Sequence, residues 1–339
     1  MGMKLSEQFQ RFAKYECENS SKLYEVLSYQ IAEDAELLDI VTTIPTGQPK
    51  PNLLFAIVHY LLFEKDESLK NYYPTFSDHL LPAEEAFLPF KQFVLKHEQS
   101  LNELFQTKLV QTNEVRRCAY LYPMLAEIYE EHKQPLALVE IGTSAGLQLG
   151  VDQYNYLYNG EISVTNSKTP VIISSENIGT PLPNAIYTTP KVKTRIGVDL
   201  NPIDVKDENE LRWLQALIWP EHHERRELLK AAANVVTQLD LHLVQGDGIA
   251  KLEELCELIP EGEMIVVFHT HVANQIPMEG RQQLVEKLSK ISTKRPLYHC
   301  YNNMYDPNLH QDYIYDGEII EKRMMENTDG HARWFNWAK

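Results

Sequence analysis

The chain has 339 residues, of which 43% are hydrophobic and 24% are charged. This is the composition of an ordinary globular protein, and the length suffices for two domains or one large elaborated domain. The 48 acidic and 32 basic residues give a formal net charge of -16. That balance argues against broad binding to nucleic acid or to an anionic membrane, because both need a basic surface.

The first residues, MGMKLSEQFQRFAKYE, contain no apolar core of the kind found in signal peptides. No apolar run approaches the ~18 residues of a membrane helix. The cysteines Cys17, Cys118, Cys256 and Cys300 lie far apart and form no CxxC motif. Such a pattern is typical of buried, reduced thiols, so we expect a cytoplasmic protein without a membrane partner.

Apolar residues recur at helical spacing through the first third of the chain. The run Leu53–Phe63 is apolar nearly all round, which predicts a buried central helix. Another helix is expected to begin after Thr112 or Asn113, either of which is a good N-cap, with Glu114 in its first turn. We therefore predict an all-helical cap domain over residues 1–133.

Strands then alternate with helices, which predicts an α/β domain over residues 134–339 with a parallel sheet. The predicted strands after the first one are Val171–Glu176, Thr194–Leu200, Leu241–Asp247, Met264–His271 and Pro296–Tyr301. The tail from Asp312 to Trp337 is interpreted as a closing antiparallel pair of strands, and residues 155–193 as an irregular insertion. Ligands of such sheets bind beyond the carboxyl ends of the strands.

The stretch Glu140-Ile-Gly142-Thr-Ser144-Ala-Gly146 follows an apolar run that begins at Leu136, and a segment predicted as a helix comes next. A strand, a glycine-rich turn and a helix are how an α/β fold presents backbone N–H groups to a ligand at a helix N-terminus. We interpret this turn as a nucleotide-type cofactor loop.

Acidic residues end the next two core strands, at Asp199 and at Asp247 after Gly246. Together with the E-x-G-x-x-x-G turn, this pattern resembles the class I S-adenosylmethionine-dependent methyltransferase superfamily over roughly residues 134–339. The resemblance implies an α/β fold with a Rossmann-like seven-stranded methyltransferase sheet, which the N-terminal all-helical domain would cover at the cofactor mouth.

The resemblance also implies S-adenosylmethionine as the cofactor. Asp199 would accept hydrogen bonds from the ribose hydroxyls, and Asp247 would meet the adenine amino group, with Gly246 giving room. The turn residues that would approach the methionine part are Glu140, Gly142, Ser144 and Gly146. The implied reaction is methyl transfer to a small or medium-sized acceptor, a displacement that depends mainly on alignment.

A base is needed only when the acceptor must lose a proton, and His269 and His271 at the end of the fourth core strand are the candidates. Other candidate substrate-side residues precede the turn or follow the fifth core strand, and these are Asn113, Glu114, Arg117, Tyr301 and Asn302. The expected partner is therefore a small-molecule substrate.

The ribose acid of a plain unit lies about 20 residues past the glycine turn, and Asp199 lies much further along the chain. Either residues 155–193 are an insertion, or Glu176 is the ribose acid. Asp199 is favoured because the run Arg195-Ile-Gly-Val-Asp199 makes the better strand.

The whole chain further resembles a bacterial family of unknown function, domain-of-unknown-function family 2332. The resemblance implies neither a substrate nor an activity. The strings that carry it are Leu54-Phe-Ala-Ile-Val-His-Tyr-Leu-Leu, Gln111-Thr-Asn-Glu-Val, Glu140-Ile-Gly-Thr-Ser-Ala-Gly-Leu and Arg195-Ile-Gly-Val-Asp-Leu-Asn-Pro-Ile-Asp.

Three alternatives stay open. The turn is also a literal G-x-S-x-G, so Ser144 could be a hydrolase nucleophile, although a long helical region precedes it and no HG-type oxyanion loop is visible. A nicotinamide-binding site would require the motif G-x-G-x-x-G, which this turn does not match. The fold could also bind S-adenosylmethionine or a related nucleoside without catalysis. No metal site is predicted, because His269 and His271 lack a supporting set of ligands.

Overall fold

A computed structural model describes residues 3–165 and 169–338 of the chain. The chain divides into two compact units. The first holds the residues up to Thr112 together with Asp207–Glu227, and the second holds Asn113–Lys206 together with the chain from Leu228 onward. No helix in these described ranges is long and apolar enough to cross a membrane.

Eleven α-helices occur in the described residues, and shorter helical turns lie between them. The α-helices are α1 (Leu5–Phe12), α2 (Lys22–Ala32), α3 (Ala35–Thr42), α4 (Lys50–Glu64), α5 (Phe87–Lys96), α6 (Glu98–Thr107), α7 (Cys118–His132), α8 (Glu208–Leu217), α9 (His223–Val236), α10 (Gly248–Glu257) and α11 (Met278–Ser292). The short turns are Ala13–Cys17, Ser68–Tyr72, Ala83–Glu85, Val115–Arg117, Leu147–Gln153, Asn184–Tyr187 and Ala273–Gln275.

The first unit is helical and forms its core around α4. The predicted buried central helix is confirmed, since α4 is buried along most of its length. Phe55 of α4 stacks on Tyr24 with ring centroids 4.2 Å apart. Trp213 and Ala216 of α8 belong to the same hydrophobic core. This packing places Asp207–Glu227 in the helical unit, whose first segment runs to Thr112, whereas the sequence predicted a helical domain over residues 1–133.

The second unit contains two sheets among the described residues. The strands are β1 (Leu136–Ile141), β2 (Asn155–Tyr158), β3 (Ile162–Val164), β4 (Ile172–Asn177), β5 (Val192–Asp199), β6 (His242–Gln245), β7 (Met264–His269), β8 (Leu297–Asn302), β9 (Leu309–Tyr315), β10 (Glu318–Met325) and β11 (Trp334–Phe335). The larger sheet has seven strands in the order β10-β9-β8-β7-β1-β5-β6.

The larger sheet is mixed. Neighbouring strands from β6 through β5, β1 and β7 to β8 are parallel, as the alternation of strands and helices predicts. β9 is antiparallel to β8, and β10 is antiparallel to β9. The chain is therefore an α/β protein whose parallel core carries an antiparallel hairpin at one edge.

The predicted closing pair of strands is confirmed as the β9–β10 hairpin, but its second strand is Glu318–Met325. The segment near Trp337 was expected to fill that place and instead forms β11, which pairs with β4 at Glu176 and Asn177. The insertion at 155–193 is also more regular than predicted, because β2, β3 and β4 form the rest of this four-stranded sheet.

Side chains of the larger sheet alternate between two faces. Ala137, Val139 and Ile141 of β1 pack in one hydrophobic cluster with residues of α10 and α11. Glu140 therefore points to the opposite face, where Cys118 at the start of α7 is close enough to feel its charge. All four cysteines are buried and unpaired, as the sequence predicts.

A buried ion pair ties the crossover after β1 to β5. The guanidinium of Arg195 binds both carboxylate oxygens of Asp152, at 2.7 and 2.8 Å. The two side chains are only 6% and 5% exposed. Removing one partner of such a pair leaves an uncompensated buried charge, which is more costly than losing an exposed pair.

Replacing Asp152 by Asn should therefore lower the free energy of unfolding by about 3–5 kcal/mol. Glu257→Gln breaks the Lys294–Glu257 pair, whose side chains are 68% and 66% exposed, and should change stability little. Urea unfolding followed by circular dichroism measures both variants. Equal effects of the two substitutions would contradict this assignment.

Candidate functional site

The glycine turn at the end of β1 is held by backbone acceptors at both ends. The N–H groups of Gly142 and Thr143 donate to the carbonyl of Val198 on β5, at 2.8 and 3.2 Å. The N–H of Gly146 donates to the carbonyl of Thr143 at 2.9 Å. The turn is thus a continuation of the β1–β5 pairing.

The two middle N–H groups of the turn are bound by side chains. Ser144 donates its N–H to Oδ2 of Asp199 at 2.8 Å, and Ala145 donates its N–H to Oδ1 of Asn113 at 3.2 Å. The amide nitrogen of Asn113 in turn donates to Oγ of Ser144 at 2.9 Å. Every N–H from Gly142 to Gly146 therefore already has a partner within the protein.

The turn uses left-handed backbone at three positions, with φ of 71° at Gly142, 49° at Ser144 and 68° at Gly146. A Cβ built on Gly142 would lie 2.5 Å from Cγ2 of Val272. Gly142 therefore serves both the turn conformation and close packing against the segment after β7.

The helix predicted after the turn is wrong in type, because Leu147–Gln153 is a 3₁₀ helix. Side chains take the carbonyls that an α-helix would use. Tyr154 Oη donates to the carbonyl of Leu147 at 2.6 Å, and Tyr156 Oη and Arg195 donate to other carbonyls of this segment. This segment therefore provides no α-helix N-terminus for a ligand.

Asp199 is the last residue of β5, next to β1 in the larger sheet. Besides the Ser144 N–H, its carboxylate accepts the N–H of Asn201 at 2.8 Å. Glu176 lies in β4 of the smaller sheet, where it pairs with Trp334. Of the two candidate ribose acids, only Asp199 lies beside the glycine turn.

Asp247 caps α10. Its Oδ1 accepts the N–H groups of Ile249 and Ala250, at 2.8 and 2.9 Å. Gly246 before it has φ of 146°, and a Cβ there would lie 2.5 Å from Cε of Lys251. The structure thus places Asp247 after β6, beyond the strand that neighbours β5.

The segment before α7 does not form the predicted α-helical start. Val115–Arg117 is a 3₁₀ turn, and Glu114 caps it by accepting the N–H of Arg116 at 3.2 Å. Arg117, 5% exposed, donates to the carbonyls of Gly330 and Thr270, at 3.0 and 3.3 Å. Asn113 binds the glycine turn instead of capping α7.

Glu140 is buried beneath the turn, with 2% of its surface exposed. Oε2 of Glu140 accepts a hydrogen bond from Oγ1 of Thr143 at 2.6 Å. Burial raises the pKa of this carboxyl to about 8, and the charge of Asp199 adds to the rise. The side chain is therefore mostly protonated at neutral pH.

His269 and His271, the two candidate bases, have different partners. His269 is fully buried, and its Nε2 lies 3.1 Å from Nε2 of His299. Burial lowers the pKa of His269 to about 4, so both rings of this pair are neutral and one donates to the other. Two neutral rings stacked near Tyr301 form part of the interior of the sheet.

His271 has left-handed backbone with φ of 57° and lies half-buried at the carboxyl edge. Its N–H donates to Oδ1 of Asn302 at 2.7 Å, and its Nδ1 lies 3.0 Å from the amide nitrogen of Asn303. Burial and the charge of Arg117 lower the pKa of His271 to about 4. The ring is thus neutral, with Nδ1 accepting and Nε2 carrying the proton.

Tyr301 lies on the same strand as His299 and also faces the interior. Its hydroxyl donates to Oδ2 of Asp312 at 3.1 Å, and its ring stacks on His310 at 4.8 Å between centroids. Asn302, 1% exposed, binds the backbone of His271. Of the two residues, Asn302 therefore belongs to the carboxyl edge that holds the glycine turn.

Sequence reasoning missed a second polar group at this edge. Oγ1 of Thr270 lies 3.0 Å from Nε2 of Gln148, and Nη1 of Arg117 reaches the carbonyl of Thr270. It also missed His299. The signal for His299 was a polar residue inside the otherwise apolar strand β8. The predictions considered polar residues only at the ends of strands.

The hydrolase alternative gains no support from these contacts. Oγ of Ser144 is bonded by Asn113, and no histidine bonds Ser144 in the part of the chain that the structure describes. His310, another histidine considered for such a site, lies 2.9 Å from Asp306 and stacks on Tyr301. In the described ranges, no group of three or more His, Cys, Asp or Glu side chains could hold a metal ion.

Residues 6–337 match domain-of-unknown-function family 2332, described as an uncharacterized protein conserved in bacteria. The chain belongs to this family. The match covers both units, so the helical unit and the α/β unit are parts of one family architecture. A comparison with curated proteins finds no match.

The tight fit of Gly142 predicts a specific loss of stability. Gly142→Ala should be more destabilising than Gly262→Ala, which has φ of 87° but nothing within 4 Å of the new Cβ. Left-handed strain costs about 1–2 kcal/mol at either site, and the clash with Val272 adds roughly 1–3 kcal/mol. Chemical unfolding of both variants measures the difference, and equal losses would show that Val272 yields freely.

The raised pKa of Glu140 predicts a pH dependence of folding. The folded state holds a proton that the unfolded carboxyl, near its ordinary value of 4.5, releases. The contribution of Glu140 to the free energy of unfolding is fully present below pH 4.5 and declines as the pH rises toward about 8. The total contribution is on the order of a few kcal/mol.

Glu140→Gln should remove this decline, because glutamine stays neutral at every pH. Urea unfolding at intervals between about pH 5 and 8 measures the difference between the variant and the unsubstituted protein, which isolates Glu140 from the buried histidines. Glu286→Gln, on the exposed surface of α11, is the control and should keep the decline. Parallel profiles for Glu140→Gln and the unsubstituted protein would mean that Glu140 is ionised in the fold.

Proposed function

We propose that this protein binds S-adenosylmethionine at the carboxyl edge of β1, β5 and β6 and transfers its methyl group to a small or medium-sized acceptor. The observation that carries the proposal is the position of Asp199. Its carboxylate ends β5 beside the glycine turn of β1 and is held there by the N–H groups of Ser144 and Asn201.

The strand order supports a ligand at this edge. From β1 the chain continues to β5 and β6 on one side and then to β7 and β8 on the other. When only the parallel strands are numbered along the chain, their order across the sheet is 3-2-1-4-5. Doubly wound sheets of this order bind ligands where the strand order reverses. Fold-level analogy then favours a nucleoside-type cofactor, although folds host many functions.

Asp199 has the capacity to bind a ribose as well as the turn. The N–H groups of Ser144 and Asn201 each bind one carboxylate oxygen of Asp199. A carboxylate accepts hydrogen bonds, which suits the two hydroxyl donors of a ribose. The two backbone bonds would hold the carboxylate in place before the cofactor arrives, which reduces the ordering cost of binding.

The chemistry of methyl transfer fits the polar groups at this edge. The acceptor atom attacks the methyl carbon while the carbon–sulfur bond of the sulfonium breaks, so no phosphate and no metal is involved. His271 is neutral with its proton on Nε2, which makes it a hydrogen-bond donor toward the acceptor rather than a base. His269 would act through the packing of β7 and β8, since it is fully buried.

One observation favours a second candidate, binding without transfer. All N–H groups from Gly142 to Gly146 have partners in the protein, so none is left for the carboxylate of the methionine part. A nucleoside held mainly by Asp199 and the segment at Asp247 would then be a bound signal. This candidate differs from the first by the absence of methyl transfer.

The cofactor proposal predicts that Asp199→Asn weakens binding of S-adenosylmethionine and S-adenosylhomocysteine about 10- to 100-fold, equivalent to about 1–3 kcal/mol of charge-assisted hydrogen bonding. Isothermal titration calorimetry measures the affinities, with NAD as a ligand control. Asp204→Asn is the matched variant, because Asp204 is an exposed residue that accepts one loop N–H, from Lys206 at 2.9 Å.

Asp204→Asn should leave both affinities within about twofold. A folded protein that binds neither S-adenosylmethionine nor S-adenosylhomocysteine would overturn the cofactor proposal. Binding to both, without transfer of a labelled methyl group to any member of a small-molecule acceptor panel, would favour the second candidate.

A further inference from the structure

A cavity lies within the α/β unit, away from the carboxyl edge that holds the glycine turn. Its volume is about 680 Å³, within the range of sites for small molecules. One wall is the end of α7, and the floor is the sheet from β8 to β10. Lining side chains that matter here are Glu127, Glu130, Glu131, Tyr298, Gln311 and Tyr313.

This cavity is separate from the glycine turn. Tyr298 is the second residue of β8, and Asn302 at its end belongs to the carboxyl edge. Four residues of strand span about 13 Å. A ligand in this cavity would therefore contact α7 and strands β8 to β10 without covering the carboxyl edge at the glycine turn.

The floor of the cavity is aromatic. The rings of Tyr298 and Tyr313 lie 4.8 Å apart between centroids and are tilted by 35°. They pair in register across β8 and β9, with Gln311 two residues along β9 on the same face. Oε1 of Gln311 is buried and has no hydrogen-bond partner among the residues that the structure describes, so this acceptor lacks a donor.

The wall of the cavity is acidic. Glu127 is paired with Arg323 of β10, and Glu130 is paired with Lys133 on the surface of α7. The carboxylate of Glu131 accepts the hydroxyl proton of Tyr298 at 3.2 Å. Nε2 of His132 lies 3.0 Å from the Tyr298 oxygen. When His132 donates to Tyr298 and Tyr298 donates to Glu131, the oxygens of Glu131 act only as acceptors.

The remaining cation of the lining belongs to the other face of the sheet. Lys322 pairs in register with Asp312, and Asp312 and Gln311 are consecutive residues that face opposite sides. Burial raises the pKa of Asp312, and the charge of Lys322 opposes part of that rise. The cavity thus offers the carboxylate of Glu131, whose Oε1 lies 3.9 Å from Nε2 of His132, and an unmatched amide oxygen above two aromatic rings.

We propose that this cavity is a binding site for an organic ammonium ion, a linear diamine or a longer polyamine. An ammonium head would donate to Glu131 and to Oε1 of Gln311 while its methylenes lie on the faces of Tyr298 and Tyr313. Aromatic faces attract such cations, and the carboxylate adds a charge-assisted hydrogen bond. The rim of the insertion at Pro183 and Ala185 closes one side.

Three probes of equal length and different charge test the proposal on the full chain by isothermal titration calorimetry. Hexane-1,6-diamine should bind, whereas hexane-1,6-diol and adipate should bind at least 10-fold more weakly. Affinity for the diamine should fall as salt rises, because the attraction is partly screened. Absence of diamine binding up to about 10 mM, an affinity of roughly 3 kcal/mol, would overturn the proposal.

Matched variants locate the binding. Glu131→Gln keeps the shape of the side chain, removes its charge and should weaken diamine binding at least 10-fold. Gln311→Met removes the acceptor and should also weaken binding. Glu286→Gln makes the same charge change on the exposed face of α11 and should leave affinity within twofold.

Equal loss in Glu131→Gln and Glu286→Gln, or diol binding as tight as diamine binding, would contradict the site. Circular dichroism and the melting temperature confirm that each variant is folded. In Asp199→Asn the diamine affinity should be unchanged. Failure of the cofactor proposal therefore leaves this one standing, and failure of this one leaves the cofactor proposal standing.

Discussion

The α/β unit depends on how Asp199 ends β5. One carboxylate joins the backbone of the glycine turn, through Ser144, to the segment after β5, through Asn201. Because both donors are backbone N–H groups, these hydrogen bonds restrain the backbone of the two segments as well as the side chain of Asp199. Asn113 supplies the matching restraint from the segment before α7. The turn is therefore built from three distant segments of the chain.

This construction gives every N–H group of the turn, from Gly142 to Gly146, an acceptor within the protein. In a loop that relies on its cofactor, the N–H groups stay exposed until the cofactor binds. Here the protein supplies its own acceptors, including a carboxylate whose charge lies next to left-handed backbone at Ser144. Glu140 lies below as a neutral acid, because burial disfavours its charged form and the charge of Asp199 adds to that cost.

Most of the parallel core could be predicted from the sequence. β5, β7 and β8 were anticipated within a few residues, because long apolar runs bounded by turn residues are specific for buried strands. Helices alternating with these strands were also anticipated, and the structure has α8 to α11 between β5 and β8. Periodicity is a local property, so it identifies these elements without knowledge of distant contacts.

What could not be predicted depends on contacts between distant residues. Whether Leu147–Gln153 becomes an α-helix or a 3₁₀ helix is decided by hydroxyl and guanidinium donors that arrive from β2 and β5. The place of Trp334 in the smaller sheet is decided by its pairing with Glu176. The split of His269 from His271 follows from the end of β7 at His269 and the left-handed backbone of His271. The ring of His269 faces His299 in the interior, whereas the ring of His271 lies at the edge beside Asn303.

Alternation of side chains along β8 and β9 accounts for the two chemistries of this part of the sheet. Residues of β8 and β9 that face α11 form a buried network of His299, Tyr301 and Asp312, closed to solvent and neutral in its histidines. Residues one position away face α7, where Tyr298, Gln311 and Tyr313 border an open cavity. One strand pair thus supplies an internal polar network on one side and a ligand-sized surface on the other. A substitution on either face should be felt mainly there, because neighbouring side chains along a strand point to opposite sides and share few contacts.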